Sequence, residues 1–99
     1  MVVLLTADPE MDHDAFVERL REEHAPMAED LPNLRRYVTS VPDDPAGAAY
    51  DAVSELWFDS PADMAAAFDS EVGEAVRADA AAFVADRETL VVDEAVHVG

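Results

Sequence analysis

The sequence predicts an α+β domain of four short strands and two helical stretches in the order β-α-β-β-α-β, within a single domain spanning residues 1–99. Three observations carry that prediction. Short apolar, β-branched or alternating runs recur near residues 2–7, 34–41, 50–58 and 90–98. Between the first and second runs, and between the third and fourth, apolar side chains instead recur at helical three-and-four spacing. Proline, aspartate and glycine occupy the breaks.

Val2 to Ala7 is an apolar run that reads as a first strand covered on both faces, broken by Asp8-Pro9-Glu10. A helix is expected from Asp12 or His13, with acidic residues in its opening turn where the helix dipole favours them. Phe16, Val17, Leu20 and His24 make its buried stripe; Glu18, Arg19, Glu22 and Glu23 make its wet face. Pro26 disfavours a helical Ala25, so the helix is expected to kink or loosen there before Leu31. Leu34 to Val41 reads as the second strand, with Tyr37, Thr39 and Val41 on one face. A loop at Pro42–Gly47 leads to a third strand at Tyr50–Phe58, antiparallel to the second. Ser60-Pro61-Ala62-Asp63 is a helix start, with a serine cap, a proline at the first helical position and an acid two residues on. Met64, Ala67 and Phe68 face inward, Gly73 marks a weak point, and a further helical stretch carries Val76 and Phe83. Leu90 to Val98 is expected to close the sheet as the fourth strand.

This order is the ferredoxin-like split βαβ arrangement. Two helices cover one face of such a sheet, yet the strands carry apolar side chains on both faces, as in Val53 and Trp57 against Leu56 and Phe58. An exposed face of that character would be a large sticky patch. Packing it on the sheet of a second copy removes the problem, which predicts a homodimer closed into an eight-stranded barrel, a dimeric α+β barrel.

Charge excludes several classes of partner. Twenty-three acids face six basic residues, all arginine, for a net charge of −17. Nothing here would neutralise a run of phosphates or dock on an anionic membrane, so neither nucleic acid nor membrane is an expected partner. No cysteine is present, which removes disulfides and thiolate chemistry. No apolar run approaches the roughly 20 residues of a membrane span. The Val2–Leu5 stretch is short for a signal peptide and has no basic lead, so a cytoplasmic location is expected. Dispersed acids, absent lysine and abundant alanine look like proteins of salt-in halophiles, where molar salt screens the self-repulsion.

The side chain with the greatest chemical interest is His24. Val17, Leu20, His24, Met27 and Leu31 share one helical face, so the imidazole lies on an apolar stripe, where it needs a hydrogen-bond partner or a task. Two readings stand: a core histidine bonded to backbone and a neighbour, or a general base and polar anchor at a cleft. Tyr37 is its natural companion as a hydroxyl donor. Trp57, with Leu20 and Phe16, is the candidate wall of an apolar ligand pocket; the alternative for Trp57, as for Tyr37, is an ordinary core or dimer-interface aromatic. His13 lies about 16 Å along the helix axis from His24 and reads as an exposed polar residue. No His pair has metal-binding spacing, and no cofactor fingerprint is present, so neither metal nor cofactor is expected. Arg35 and Arg36 are suited to clamping an acid, with an ion pair to a nearby carboxylate the simpler outcome.

The stretch Arg21-Glu22-Glu23-His24-Ala25-Pro26-Met27, followed by Leu31-Pro32-Asn33-Leu34-Arg35-Arg36-Tyr37-Val38, resembles the EthD family of small dimeric α+β-barrel proteins, here in a haloarchaeal-type acidic form. The likeness continues through Tyr50–Phe58. It implies a ferredoxin-like protomer, a dimer and a small apolar cavity in each subunit. By motif, His24 matches the family's His-Ala-Pro histidine, and Tyr37 the tyrosine after its Leu-Pro turn. Met27, often leucine in the family, is a conservative packing change. The wider superfamily includes cofactor-free monooxygenases, muconolactone isomerases and polyketide cyclases. The expectation is therefore a homodimer that binds a small apolar or aromatic molecule. It would be a cofactor-free oxidoreductase of monooxygenase type in a degradation pathway, or an isomerase or cyclase with His24 as general base. A non-catalytic ligand-binding or accessory protein is the alternative. Fold alone does not choose among these.

Overall fold

The computed structural model describes residues 1–99. Strand β1 (Val2–Ala7) leads to helix α1 (His13–Glu18), a π-helical turn (Arg19–His24) and helix α2 (Ala25–Ala28), which together form one continuous rod. Then come β2 (Arg36–Ser40), a 3-10 turn (Pro45–Gly47), β3 (Ala52–Trp57), α3 (Pro61–Asp69), α4 (Glu71–Phe83) and β4 (Val84–Leu90). The sheet is antiparallel throughout, in the order β2-β3-β1-β4. It is the ferredoxin-like arrangement, with the helices on one face. No helix is long and apolar enough to cross a membrane.

Local chemistry sets the helix ends. Asp12 caps α1 by accepting from the Ala15 amide at 2.7 Å. Ser60 accepts from Asp63 N–H at 3.1 Å, with Pro61 at the first position of α3. Ser70 serves two helices: its hydroxyl donates to the Ala67 carbonyl at the end of α3 and accepts from Gly73 N–H at the start of α4. Gly73 is no weak point. A Cβ there would lie 2.4 Å from the Ala67 carbonyl oxygen and 2.5 Å from the Phe68 Cα. Glycine is what lets α4 turn back tightly on α3. Asn33, at φ +64°, takes the left-handed step that turns the chain into β2, a conformation asparagine tolerates.

Register separates the two sheet faces. Val3, Leu5, Ala52 and Leu56 point to the helices and are buried, and they pack with Phe16, Leu20 and Phe83 in a single core. Phe16 and Leu20 are fully enclosed, each worth about 1.5–3 kcal/mol relative to exposure. Val2, Leu4, Val38, Val53 and Trp57 alternate onto the opposite face, which no helix covers.

Two expectations are corrected. The fourth strand is Val84–Leu90, not Leu90–Val98; it pairs with β1 from Val2↔Leu90 to Ala7↔Val84. Its sequence Val-Ala-Asp-Arg-Glu-Thr-Leu is charged because it is an edge strand, where charge discourages pairing with stray chains. The apolar tail beyond it has no regular structure, and Val91, Val92, Val96 and Val98 stand exposed. Ala25 does not leave the helical region, lying at φ −58°, ψ −42°, and of the kink or loosening expected there no kink forms. The chain widens instead: Ala25 N–H bonds back to Leu20 C=O, five residues earlier. The wider turn relieves the clash that the Pro26 ring would make with the preceding turn of a regular α-helix.

Candidate functional site

Between the helical layer and the sheet lies a cavity of about 250 Å³, lined by 19 residues of which 14 are hydrophobic. Its floor includes Val3, Leu5, Ser54 and Leu56 from the sheet, and its wall includes Leu20, His24, Val76 and Phe83 from the helices. Tyr37 reaches it from β2.

His24 is held by a carboxylate. Its Nδ1 lies 2.8 Å from Asp79 Oδ2, and its side chain is 10% exposed. Asp79 also accepts two hydrogen bonds from Arg19, at 2.6 and 3.0 Å. The guanidinium of Arg19 holds the Asp79 carboxyl below its ordinary value, with the His24 bond adding to the effect against the opposing influence of burial. An ionised carboxylate only accepts, so the proton between them belongs to His24 Nδ1. With Nδ1 so occupied, Nε2 makes no hydrogen bond to the protein and is the nitrogen available to the cavity. The Phe83 ring braces the group, edge-to-face with the imidazole at 5.4 Å between ring centroids and with the Arg19 guanidinium 4.5 Å from its own centroid.

The π-helical turn makes this arrangement possible. Residues five apart on an α-helix point about 140° away from one another. In a turn bonded from each residue to the fifth one on, Arg19 and His24 come to the same side and share one carboxylate. Tyr37 differs: burial pushes its phenol up, with the Ser54 hydroxyl partly offsetting that, so it stays protonated as a donor.

Residues 8–87 match the EthD domain. The chain belongs to the EthD family. It is 31% identical, over 81% of its own length and 80% of the relative's, to an uncharacterized 11.0 kDa protein from the thcB–thcC intergenic region of Rhodococcus erythropolis. Among solved structures it resembles an EthD family protein from Bacillus halodurans, with a TM-score of 0.69 and 23% identity over 91% of this chain and 96% of that one. It also resembles a dimeric ferredoxin-like protein of unknown function from Thermobifida fusca, with a TM-score of 0.71 and 22% identity over 88% and 81% of the two chains. These structural likenesses establish the fold.

Not every residue picked out beforehand meets at the cavity of this EthD domain. His24, Tyr37 and Leu20 do. Phe16 sits behind the wall, fully enclosed and tilted against Phe83 at 5.5 Å. Trp57 does not line this cavity: strand alternation puts it on the uncovered face, opposite the cavity-lining Leu56, where its alternative reading as an interface aromatic places it. There Arg36 stacks over its ring at 4.9 Å, and its indole N–H donates to Glu94 at 3.0 Å. His13 is not simply exposed either, for its Nδ1 is buried without a hydrogen-bond partner, 4.0 Å from Asp51. Arg35 takes the expected ion pair, with Asp59 at 2.7 Å. Asp79 is the residue that sequence reasoning missed. It carried a readable signal: it lies three residues after Val76 and four before Phe83, so it is an acid on the apolar stripe of α4.

Proposed function

We propose that this EthD protein works as a homodimer whose two cavities each hold a small, mostly apolar or aromatic molecule, with His24 as polar anchor and general base. The observation that carries the reading is the imidazole fixed through Nδ1 by Asp79, its second nitrogen left for an apolar cavity. Such a nitrogen accepts a proton from an activated phenol or enol, while the Tyr37 hydroxyl steadies negative charge growing on oxygen. That chemistry serves a cofactor-free oxygenation, an isomerisation or a cyclisation. A ligand-holding role without turnover is the second reading, favoured by there being one base in the cavity and no second. Support for the dimer comes from the uncovered apolar sheet face and from five large hydrophobic residues, Leu90 to Val98, exposed by half or more. The acidic surface suits a cytoplasm rich in potassium chloride.

The test is a thermal-shift and turnover screen in molar potassium chloride with phenols, quinols, lactones and polyketide-like aromatics, on the wild type, His24→Ala and His24→Gln. Stabilisation by a compound that disappears in both variants supports the anchor. Loss of turnover with retained binding in His24→Gln supports the base. Undiminished binding and turnover in both variants would end the proposal.

A further inference from the structure

We infer that the molecule held in the cavity is a carboxylate, an organic acid whose apolar body lies against Leu20 and Phe83 while Arg77 and Arg87 take its charged head. This rests on the cavity being a ligand site, and it names the class of ligand. Nearly a quarter of the chain is acidic, with 23 carboxylates among 99 residues, yet none of the 19 residues lining the cavity is aspartate or glutamate. Two of the chain's six arginines do line it. The cavity has the opposite electrostatic character to the rest of the molecule.

The arginines themselves separate into two groups. Arg19 and Arg35 are committed to Asp79 and Asp59. Arg21 bonds the Thr39 hydroxyl and carbonyl, and Arg36 stacks on Trp57 across the sheet. Arg77 and Arg87, like Arg36, take part in no ion pair and no side-chain hydrogen bond, and of these three only Arg77 and Arg87 line the cavity. Arg77 lies over the Phe68 ring, its guanidinium 5.6 Å from the centroid, which fixes the side chain while leaving its N–H groups unspent. Arg87 stands on β4 opposite Leu5 and so faces the helix side of the sheet. Four of the six arginines find no acid even in a protein of charge −17, and of these Arg77 and Arg87 border the same apolar space. A guanidinium presents two parallel N–H groups that match a carboxylate, which makes an organic acid the ligand these side chains recognise best.

The experiment measures binding of matched acid and amide pairs (benzoate and benzamide, 3-phenylpropanoate and 3-phenylpropanamide, 2-naphthoate and 2-naphthamide, octanoate and octanamide). Titration calorimetry in 1 M potassium chloride would compare the wild type with Arg77→Gln, Arg87→Gln, Arg87→Lys and the distant control Arg35→Gln. The expected result is at least one pair in which the acid binds about tenfold or more tightly than its amide. That preference should fall in Arg77→Gln and in Arg87→Gln, return in part in Arg87→Lys and persist in Arg35→Gln. Amides that bind as well as acids overturn the carboxylate assignment and leave the apolar site standing. No binding by either member of any pair removes the apolar site, and the assignment with it. Weakened dimerisation in Arg87→Gln with the acid preference intact would mean that Arg87 serves a partner chain, and would overturn its role here.

Discussion

Asp79→Asn should cost stability at neutral pH and cost progressively less as the solution is acidified. The carboxylate receives three hydrogen bonds, two from Arg19 at 2.6 and 3.0 Å and one from His24 at 2.8 Å, and its side chain is 17% exposed. Hydrogen bonds to charged groups contribute about 1.5–3 kcal/mol each, but bonds that share one acceptor do not add, and partial exposure reduces them further. Asparagine keeps the shape, loses the charge and turns one acceptor into a donor facing other donors. A loss of about 2–3 kcal/mol follows at pH 7, or roughly 10–20 °C in Tm for a domain of this size. Asp79 is held below its ordinary value of 3.8 in the folded state, so its contribution is fully present above that value. The contribution fades as pH falls from about 3.8 through the lower folded value, because the unfolded chain then binds the extra proton. The difference between wild type and variant cancels the response of the other acids. The measurement is urea unfolding followed by circular dichroism in 1 M potassium chloride, at fixed protein concentration, stepped from pH 7 to pH 3. A difference below about 0.5 kcal/mol at pH 7, the range of an ordinary surface change, would refute the reasoning. So would a difference that stays constant down to pH 3.

Other substitutions probe separate parts of the structure. Gly73→Ala should lower stability by about 3 kcal/mol, read as a drop in Tm, because its Cβ would meet backbone atoms of Ala67 and Phe68 at 2.4–2.5 Å; a neutral or stabilising result would show that α3 and α4 separate freely. Trp57→Ala should weaken dimerisation, followed by sedimentation at falling protein concentration, while leaving ligand binding within about twofold, the size of an ordinary surface effect. A large loss of ligand affinity in that variant would contradict its place on the uncovered face. Arg19→Gln should lower stability at pH 7 and cost less below the ordinary carboxylate range, since Arg19 is the main cause that holds Asp79 low; a stability loss independent of pH would disconnect Arg19 from Asp79. Lowering potassium chloride from 2 M to 0.1 M should lower the Tm, because unscreened repulsion rises across a surface of charge −17.

The first three strands, the Ser60 cap, the helix start at Asp12–His13 and the inward-facing His24 were legible because each depends on a local pattern: alternation, a cap or a stripe. What escaped depended on partners distant in sequence. Val84–Leu90 looks helical or irregular by composition and is a strand only because β1 offers it hydrogen bonds. The more apolar Leu90–Val98 reads as the better strand, but beyond Leu90 it has no strand partner within its own chain. Trp57 has two readings in the sequence, pocket wall or interface aromatic, and parity along β3 sends it to the face away from the cavity. Asp79 was hidden by numbers, being one acid among 23. The π-helical turn left only Pro26 as a trace, and proline predicts disturbance without saying which kind.

The junction between α4 and β4 has no loop: Phe83 ends the helix, Val84 begins the strand, and the Phe83 carbonyl is pinned by Asp8 N–H at 3.1 Å. Arg77 lies on one arm of this elbow and Arg87 on the other. With no slack residues to act as a hinge, their spacing is set by the backbone like the jaws of a fixed calliper. Such an opening selects by gauge. On the proposal that the cavity takes organic acids, those that match its span should be preferred to longer ones, and lengthening the elbow by one glycine should broaden the range of molecules admitted before it unfolds the domain.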